Sequence, residues 1–168
     1  NDAVRTLILT ADGEIPFQAY FVAMACEPPV SGFRFSGAET ARPAPGVLDS
    51  LAGADVIVMC PSNPWVSLDP ILAVPGVRQA VRDGVTVAVS PIIGGHALRG
   101  PAAKMFREMG IEPSAQAVAA HFKGLIRGLV IDAEDAGQAS SIQADGIQTL
   151  VTRTVMKGRH ARRRLAEE

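Results

Sequence analysis

The chain has 168 residues, 48% hydrophobic and 20% charged, with a formal net charge of −1. That length suits one domain able to bury most of its apolar surface, and the near-neutral balance excludes a field that would gather nucleic acid or an anionic membrane. No apolar run approaches the roughly 20 residues of a membrane span, and no basic stretch at the start leads into an apolar one as a secretory leader would.

The first apolar run, residues 4–10, reads as a strand ending at the turn Ala11, Asp12, Gly13. Glu14, Ile15 and Pro16 are expected to open a helix, since proline in a first turn loses no hydrogen bond. Phe17, Tyr20, Phe21 and Met24 then recur at helical spacing and predict a core-facing stripe. Pro28 and Pro29 stop it. Residues 30–36 alternate weakly and form a candidate strand, residues 41–46 a loop, and residues 46–52 a short helix.

Residues 54–95 are the centre of the chain. Residues 55–60 and 85–89 have the length and β-branched content of buried parallel strands, and residues 70–83 between them read as a helix closed by Gly84. Together they predict one βαβ unit. Its loops leave the carboxyl ends of neighbouring strands, where ligands bind in open α/β sheets. Further on, a helix over residues 102–109 ends at Gly110, and Ser114 caps a second one closed at Gly124. Residues 129–132 and 147–154 supply late strands, residues 133–142 a helical stretch over the sheet, and residues 157–168 a charged terminal helix. The alternation predicts a single α/β domain over residues 1–168, a three-layer Rossmann-like arrangement with a mainly parallel sheet.

Cys26 and Cys60 form no C-x-x-C pair and are expected to be small core residues in a reduced, cytoplasmic setting. Ser62, Asn63 and Ser67 stand in a loop braced by Pro61 and Pro64, whose rings fix φ and lower the entropy of holding it. Such a loop either presents donors to a phosphate or is an Asx turn that reverses the chain. Gly94 and Gly95 after Ile93 permit close approach of a ligand to the backbone. Arg99, Lys104 and Arg107 offer cations for a diphosphate, or are solvated helix residues. His96 is a loop residue, and His121 is open between a structural and a binding role. Asp69, Asp132 and Asp135 are the carboxylates nearest predicted strand ends. No nucleophile–base pair is visible. A dinucleotide-binding G-x-G-x-x-G after a strand is absent too, which sets a Rossmann dehydrogenase aside. The basic end from Lys157 to Arg164 has no interleaved aromatic residue and reads as a structural helix terminus.

Several stretches together resemble the 2-phospho-L-lactate transferase family of coenzyme F-420 biosynthesis. They are Cys60, Pro61, Ser62, Asn63, Pro64 with Val66 and Ser67; Pro70 to Gly76; Ser90, Pro91, Ile92, Ile93, Gly94, Gly95; Gly100, Pro101, Ala102 with Lys104 and Met105; and Gly110 to Ser114. The closing Thr152, Thr154, Met156 pattern and Leu165, Ala166 add to it, with departures at Arg99, where lysine is usual, and at Gly158 and Arg159, where acidic residues are usual.

The resemblance implies a transferase that moves a 2-phospholactyl or phosphoenolpyruvyl group from a guanosine-diphosphate-linked donor to the ribityl hydroxyl of a deazaflavin alcohol, releasing GMP. It implies nucleotide contacts at Ser62, Asn63, Pro64, Ser67, Ile93, Gly94, Gly95 and Lys104. It also implies a magnesium cofactor whose ligands lie outside this chain, a homodimer, and a match to the C-terminal half of a longer enzyme. The alternative is a nucleotide-binding fragment without turnover. A composition rich in Ala, Arg, Val and Gly and poor in Lys, Asn and Ile leans toward the phosphoenolpyruvyl donor.

Overall fold

The computed structural model describes residues 2–167. Strands β4 (Ile57–Met59), β5 (Thr86–Val89), β8 (Gly128–Asp132) and β9 (Gln148–Thr152) form a four-stranded sheet in that order, with every neighbouring pair parallel. The expected α/β fold and the adjacent, parallel placement of the two central strands are observed. Helices α3 (Val77–Asp83), α4 (Ala102–Glu108), α5 (Ala115–His121) and α6 (Ala139–Ala144) connect the strands. Their apolar sides share one core cluster with Met59, Ala88, Leu129 and Ile131.

The first forty residues behave differently from expectation. Strands β1 (Arg5–Thr10), β2 (Gly13–Pro16) and β3 (Gly32–Ser36) make a separate antiparallel sheet with β1 in the middle. Residues 14–16 are therefore a strand and not a helix start. Gly13 at φ +120° and the bond from Thr10 Oγ1 to the Gly13 carbonyl close a hairpin at Ala11 and Asp12. Pro16 is tolerated because β2 is an edge strand. Helical winding begins only at the π-helical turn Ala19–Ala23. There Tyr20 is buried, but Phe21 and Met24 are exposed, so the stripe predicted as core is only partly so.

Two further expectations are corrected, and one loop takes a defined form. The helix expected over residues 70–83 is two pieces, α2 (Asp69–Leu72) and α3, broken at Pro75 and at Gly76 with φ +85°. The Ile93–Gly94–Gly95 loop is the turn of a two-residue hairpin between β6 (Ile92–Ile93) and β7 (His96–Ala97). Cys60 is exposed, because β4 ends at Met59 and the chain has already turned out of the sheet; Cys26 is buried. The last described helix is α7 (Gly158–Glu167), and a short α1 (Val47–Ala52) lies far upstream; Glu168, the last residue of the expected terminal helix, lies outside the described residues. Between β8 and α6 the backbone runs as a 3₁₀ stretch, Ala133–Gln138.

Candidate functional site

A cavity of about 1250 Å³ opens at the carboxyl ends of β4, β5 and β9. Its floor is built from the segments that leave each of these strands. After β4, Asn63 caps the π-helical turn Pro64–Leu68: its Oδ1 accepts from Trp65 N–H at 3.0 Å and from Val66 N–H at 3.3 Å. Its Nδ2 donates to Met105 Sδ at 3.1 Å. Both ends of the carboxamide thus hold the loop, while the Ser62 and Ser67 side chains stand in the cavity lining beside it. Trp65 anchors the turn from below. It stacks on Phe33 at 5.5 Å and meets Phe106 at 4.4 Å, so this one side chain joins the antiparallel sheet to α4.

His121 secures the other end of the turn. Its Nε2 lies 3.0 and 3.2 Å from the two Asp69 carboxylate oxygens, and its ring meets Trp65 edge-on. It is outside the cavity lining, so the structure gives it the anchoring role.

After β5, Ser90 is buried, and its hydroxyl donates to the Ile92 carbonyl at 2.8 Å, turning the chain into the small hairpin. Gly94 N–H then donates to both oxygens of the buried Asp135, each at 3.2 Å. Burial raises the Asp135 carboxyl above its ordinary pKa, and the Gly94 bond only partly opposes this.

After β9, Thr154 is held by Asp132. Thr154 N–H donates at 2.7 Å and its hydroxyl at 2.9 Å to one carboxylate oxygen. Burial works to raise the Asp132 pKa, but hydrogen bonds from Glu134, Thr154 and Val155 outweigh it and hold the group below its ordinary value. This clamp aims the segment from Thr154 to Lys157 into the cavity.

The structure separates the eight sequence-predicted site residues. Ser62, Asn63, Ser67 and Ile93 line one cavity. Pro64 is buried beneath the loop, and Gly94 and Gly95 lie in the hairpin turn beyond the lining, where Arg107 donates to the Gly95 carbonyl. Lys104 points away from the cavity. Its Nζ bonds Tyr20 Oη, the Pro28 carbonyl and Glu108, and Glu108 in turn accepts from Val30 N–H. Burial disfavours the Lys104 charge, yet Glu108 and Tyr20 more than compensate and raise its pKa. That network pins α4 to the 17–30 segment.

Sequence reasoning missed one wall and two cations. Phe17, Phe21, Val22 and Leu98 add an apolar wall to the same cavity. Lys157 and Arg162, from the basic end expected to be only structural, join Arg99 at the cavity. The available signal was position: residues just past a parallel strand's carboxyl end face the ligand crevice, and Thr154 to Lys157 come directly after β9. Among the described residues no carboxylate lines this cavity, and no three His, Cys, Asp or Glu residues converge as metal ligands. The residues present therefore do not form a magnesium site.

A protein-family model described as 2-phospho-L-lactate transferase CofD matches residues 1–158. The chain belongs to the CofD family. It is 44% identical over 155 residues to a phosphoenolpyruvate transferase of Streptomyces griseus, covering 88% of this chain and 49% of that protein. It is 35% identical over 169 residues to a 2-phospho-L-lactate transferase of Methanopyrus kandleri, covering 100% of this chain and 54% of the relative. This CofD chain thus spans about half the length of the curated relatives it matches. In fold it is similar to the crystal structure of protein BH3568 from Bacillus halodurans, with a TM-score of 0.65 at 18% identity over 98% of this chain and 58% of that one. Among the described residues no helix is long and apolar enough to cross a membrane.

Proposed function

We propose that the cavity holds the guanosine-diphosphate-linked donor of a coenzyme F-420 biosynthetic transferase, and that the deazaflavin alcohol approaches along its apolar wall. One observation carries the reading. In a chain of net charge −1, the cavity gathers Arg99, Lys157 and Arg162 and no carboxylate among the described residues. Such a lining suits a polyanion, and guanidinium groups bind phosphate oxygens in pairs. Ser62, Asn63 and Ser67 form the polar floor for the diphosphate, with Ile93 beside them.

In the reaction the acceptor hydroxyl oxygen bonds to the phosphorus bearing the small acid. The bridging P–O bond breaks, GMP leaves with its electron pair, and the hydroxyl proton passes to solvent. Positioning and charge compensation supply such catalysis without a covalent intermediate.

The family match and the relatives' names support a transferase. The span of about half a relative supports a second reading, in which this chain binds the nucleotide without turning it over. Incubating the chain with each guanylated donor, the deazaflavin alcohol and magnesium, with mass detection of product, distinguishes them. Product supports the transferase reading for this chain alone. GDP binding without product supports the binding module, and neither binding nor product refutes both.

A further inference from the structure

Helix α4 begins at the cavity, where Ala102 belongs to the lining, and braces it from two neighbouring positions. Met105 Sδ takes the Asn63 carboxamide at 3.1 Å and so steadies the serine loop. Lys104, one residue earlier, is outside the lining and reaches a different segment. Its Nζ donates to Tyr20 Oη at 3.3 Å and to the Pro28 carbonyl at 3.1 Å, and it pairs with Glu108. Glu108 in turn accepts from Val30 N–H at 3.2 Å.

The segment so held is one that its own backbone would not fix. In the π-helical turn Ala19–Ala23, Tyr20 is fully buried, whereas Phe21 and Val22 are 45% and 71% exposed and line the cavity. Phe21 stacks on Phe17 of the same wall, with ring centroids 5.6 Å apart. Directly after the turn, Ala25 and Cys26 stand at φ +48° and +60°, the left-handed region that is costly for a residue with a Cβ. Such backbone persists where its surroundings over-determine it. Here the restraint is Tyr20: its hydroxyl donates to the Cys26 carbonyl at 3.1 Å, and its carbonyl accepts from Cys26 N–H at 2.9 Å. Lys104 completes the chain of contacts at the same hydroxyl oxygen. Successive side chains on a helical turn diverge, so fixing Tyr20 inward turns Phe21 and Val22 out.

We propose that Lys104 is a positioning residue for the acceptor: through Tyr20, Pro28 and Glu108 it holds the wall at residues 17–22 in the shape that takes the acceptor's flat ring, and it leaves the donor's anion site untouched. The proposal rests on the reading of the cavity given above. Lys104 itself touches neither substrate, since it lies outside the lining and its charge is engaged by Glu108. An aromatic side chain and a flat heterocycle attract only over a narrow range of separation and tilt. A wall that wanders therefore loses affinity in proportion to the time it is out of place. The division of labour follows α4, with Met105 serving the serine loop and Lys104 the apolar wall.

The test titrates this chain with GDP and, separately, with the deazaflavin alcohol, for the parent, Lys104→Met, Tyr20→Phe and the double variant. The parent should bind both ligands. Lys104→Met should weaken the alcohol about 5- to 10-fold, as a wall in place about a fifth to a tenth of the time does, and change GDP by less than about twofold. Tyr20→Phe keeps the buried ring and removes only the hydroxyl, so it should weaken the alcohol about 2- to 5-fold. In the Lys104→Met background it should add less than about twofold, because both act through one network. Without ligand, amide exchange at residues 19–26 should quicken in Lys104→Met while residues 63–68 stay as in the parent. If Lys104→Met melts below the titration temperature, the same split between ligands in Tyr20→Phe decides. A parent that does not bind the alcohol refutes the acceptor's place on this wall, and the positioning role with it. A parent that binds both, with Lys104→Met unchanged, weakened alike for both ligands, or weakened for GDP alone, refutes the positioning role and leaves the reading of the cavity standing. Additive variants or unquickened exchange at residues 19–26 refute it equally.

Discussion

Replacing Asn63 in two ways separates what it does for the loop from what the cavity does for a ligand. Asn63→Ala removes the acceptor for the Trp65 and Val66 N–H groups and the donor to Met105. Loss of an N-cap costs about 0.5–2 kcal/mol, and Trp65 N–H is left in a mostly buried site. The expected destabilisation is therefore about 1–2 kcal/mol, which for a chain of this size lowers Tm by about 2–8 °C. Asn63→Asp keeps a carboxyl oxygen in the same place, and aspartate caps as well as asparagine. Its cost in stability should stay below about 1 kcal/mol, mostly from the lost contact with the Met105 sulfur. The new carboxylate, however, enters a cavity whose charged lining is wholly cationic. At about 6 Å from a diphosphate and an effective dielectric of about 20–40, it opposes binding by roughly 1.4–2.8 kcal/mol, about 10- to 100-fold. Thermal melts and GDP calorimetry on the two variants read both quantities. If Asn63→Asp melts as low as Asn63→Ala, the capping argument fails. If Asn63→Asp binds GDP like the parent, the anion site is elsewhere.

The same contacts predict other outcomes. Lys104→Met, which breaks the bonds to Tyr20, Pro28 and Glu108, should cost about 1–2 kcal/mol in urea unfolding after solvent screening. It should change GDP affinity less than about twofold, because Lys104 is outside the lining. Gly94→Ala must adopt φ +54° with its Cβ against Glu134 Oε1, but the Glu134 side chain can swing away. We expect about 1 kcal/mol of backbone strain in a melt and unaltered GDP binding; a severe loss of affinity would restore Gly94 to the site. Asp132, whose folded pKa is depressed, contributes stability that is complete above its ordinary carboxylate range and lost as pH falls through the folded value. Acid titration should thus steepen below about pH 4, and Asp132→Asn should be less stable at pH 7 and lack that part of the acid limb.

How far the chain could be read depended on whether local pattern and tertiary context agreed. Residues 55–60 and 85–89 carry the length and β-branched content of parallel strands, and β4 and β5 pair as that pattern implies, but Val56, Val58 and Val85 are exposed, so the expected burial holds on one face only. The Ser114 cap was equally legible: its Oγ accepts from Ala117 N–H at 3.0 Å. Residues 14–16 misled because Phe17, Tyr20, Phe21 and Met24 fit a helical stripe, whereas β1 recruits the segment into a hairpin. The break at Pro75 and Gly76 was available from the residues themselves, as a proline–glycine pair ends a helix.

The candidate site was half legible. A proline-braced loop after a strand is local information, so Ser62, Asn63 and Ser67 could be named. That Lys157 and Arg162 reach the same cavity depends on where β9 ends in space. A run of basic residues has no periodicity that distinguishes a solvated helix from a ligand contact. Lys104 shows the converse: a cation beside the right motif is tied up by Glu108, which only the fold brings to it with Tyr20 and Pro28.

The claim that the cavity is an anion site for a nucleotide diphosphate is tested most directly by titrating the chain with GDP and with guanosine at two salt concentrations, for the parent and for Arg162→Gln. The parent should bind GDP more tightly than guanosine, with an affinity that weakens as salt rises. Arg162→Gln should lower GDP affinity by about 5- to 10-fold, the cost of one solvent-screened charge-assisted contact, and leave guanosine unchanged. Equal affinity for GDP and guanosine, or an Arg162→Gln variant that binds GDP as the parent does, would contradict the account.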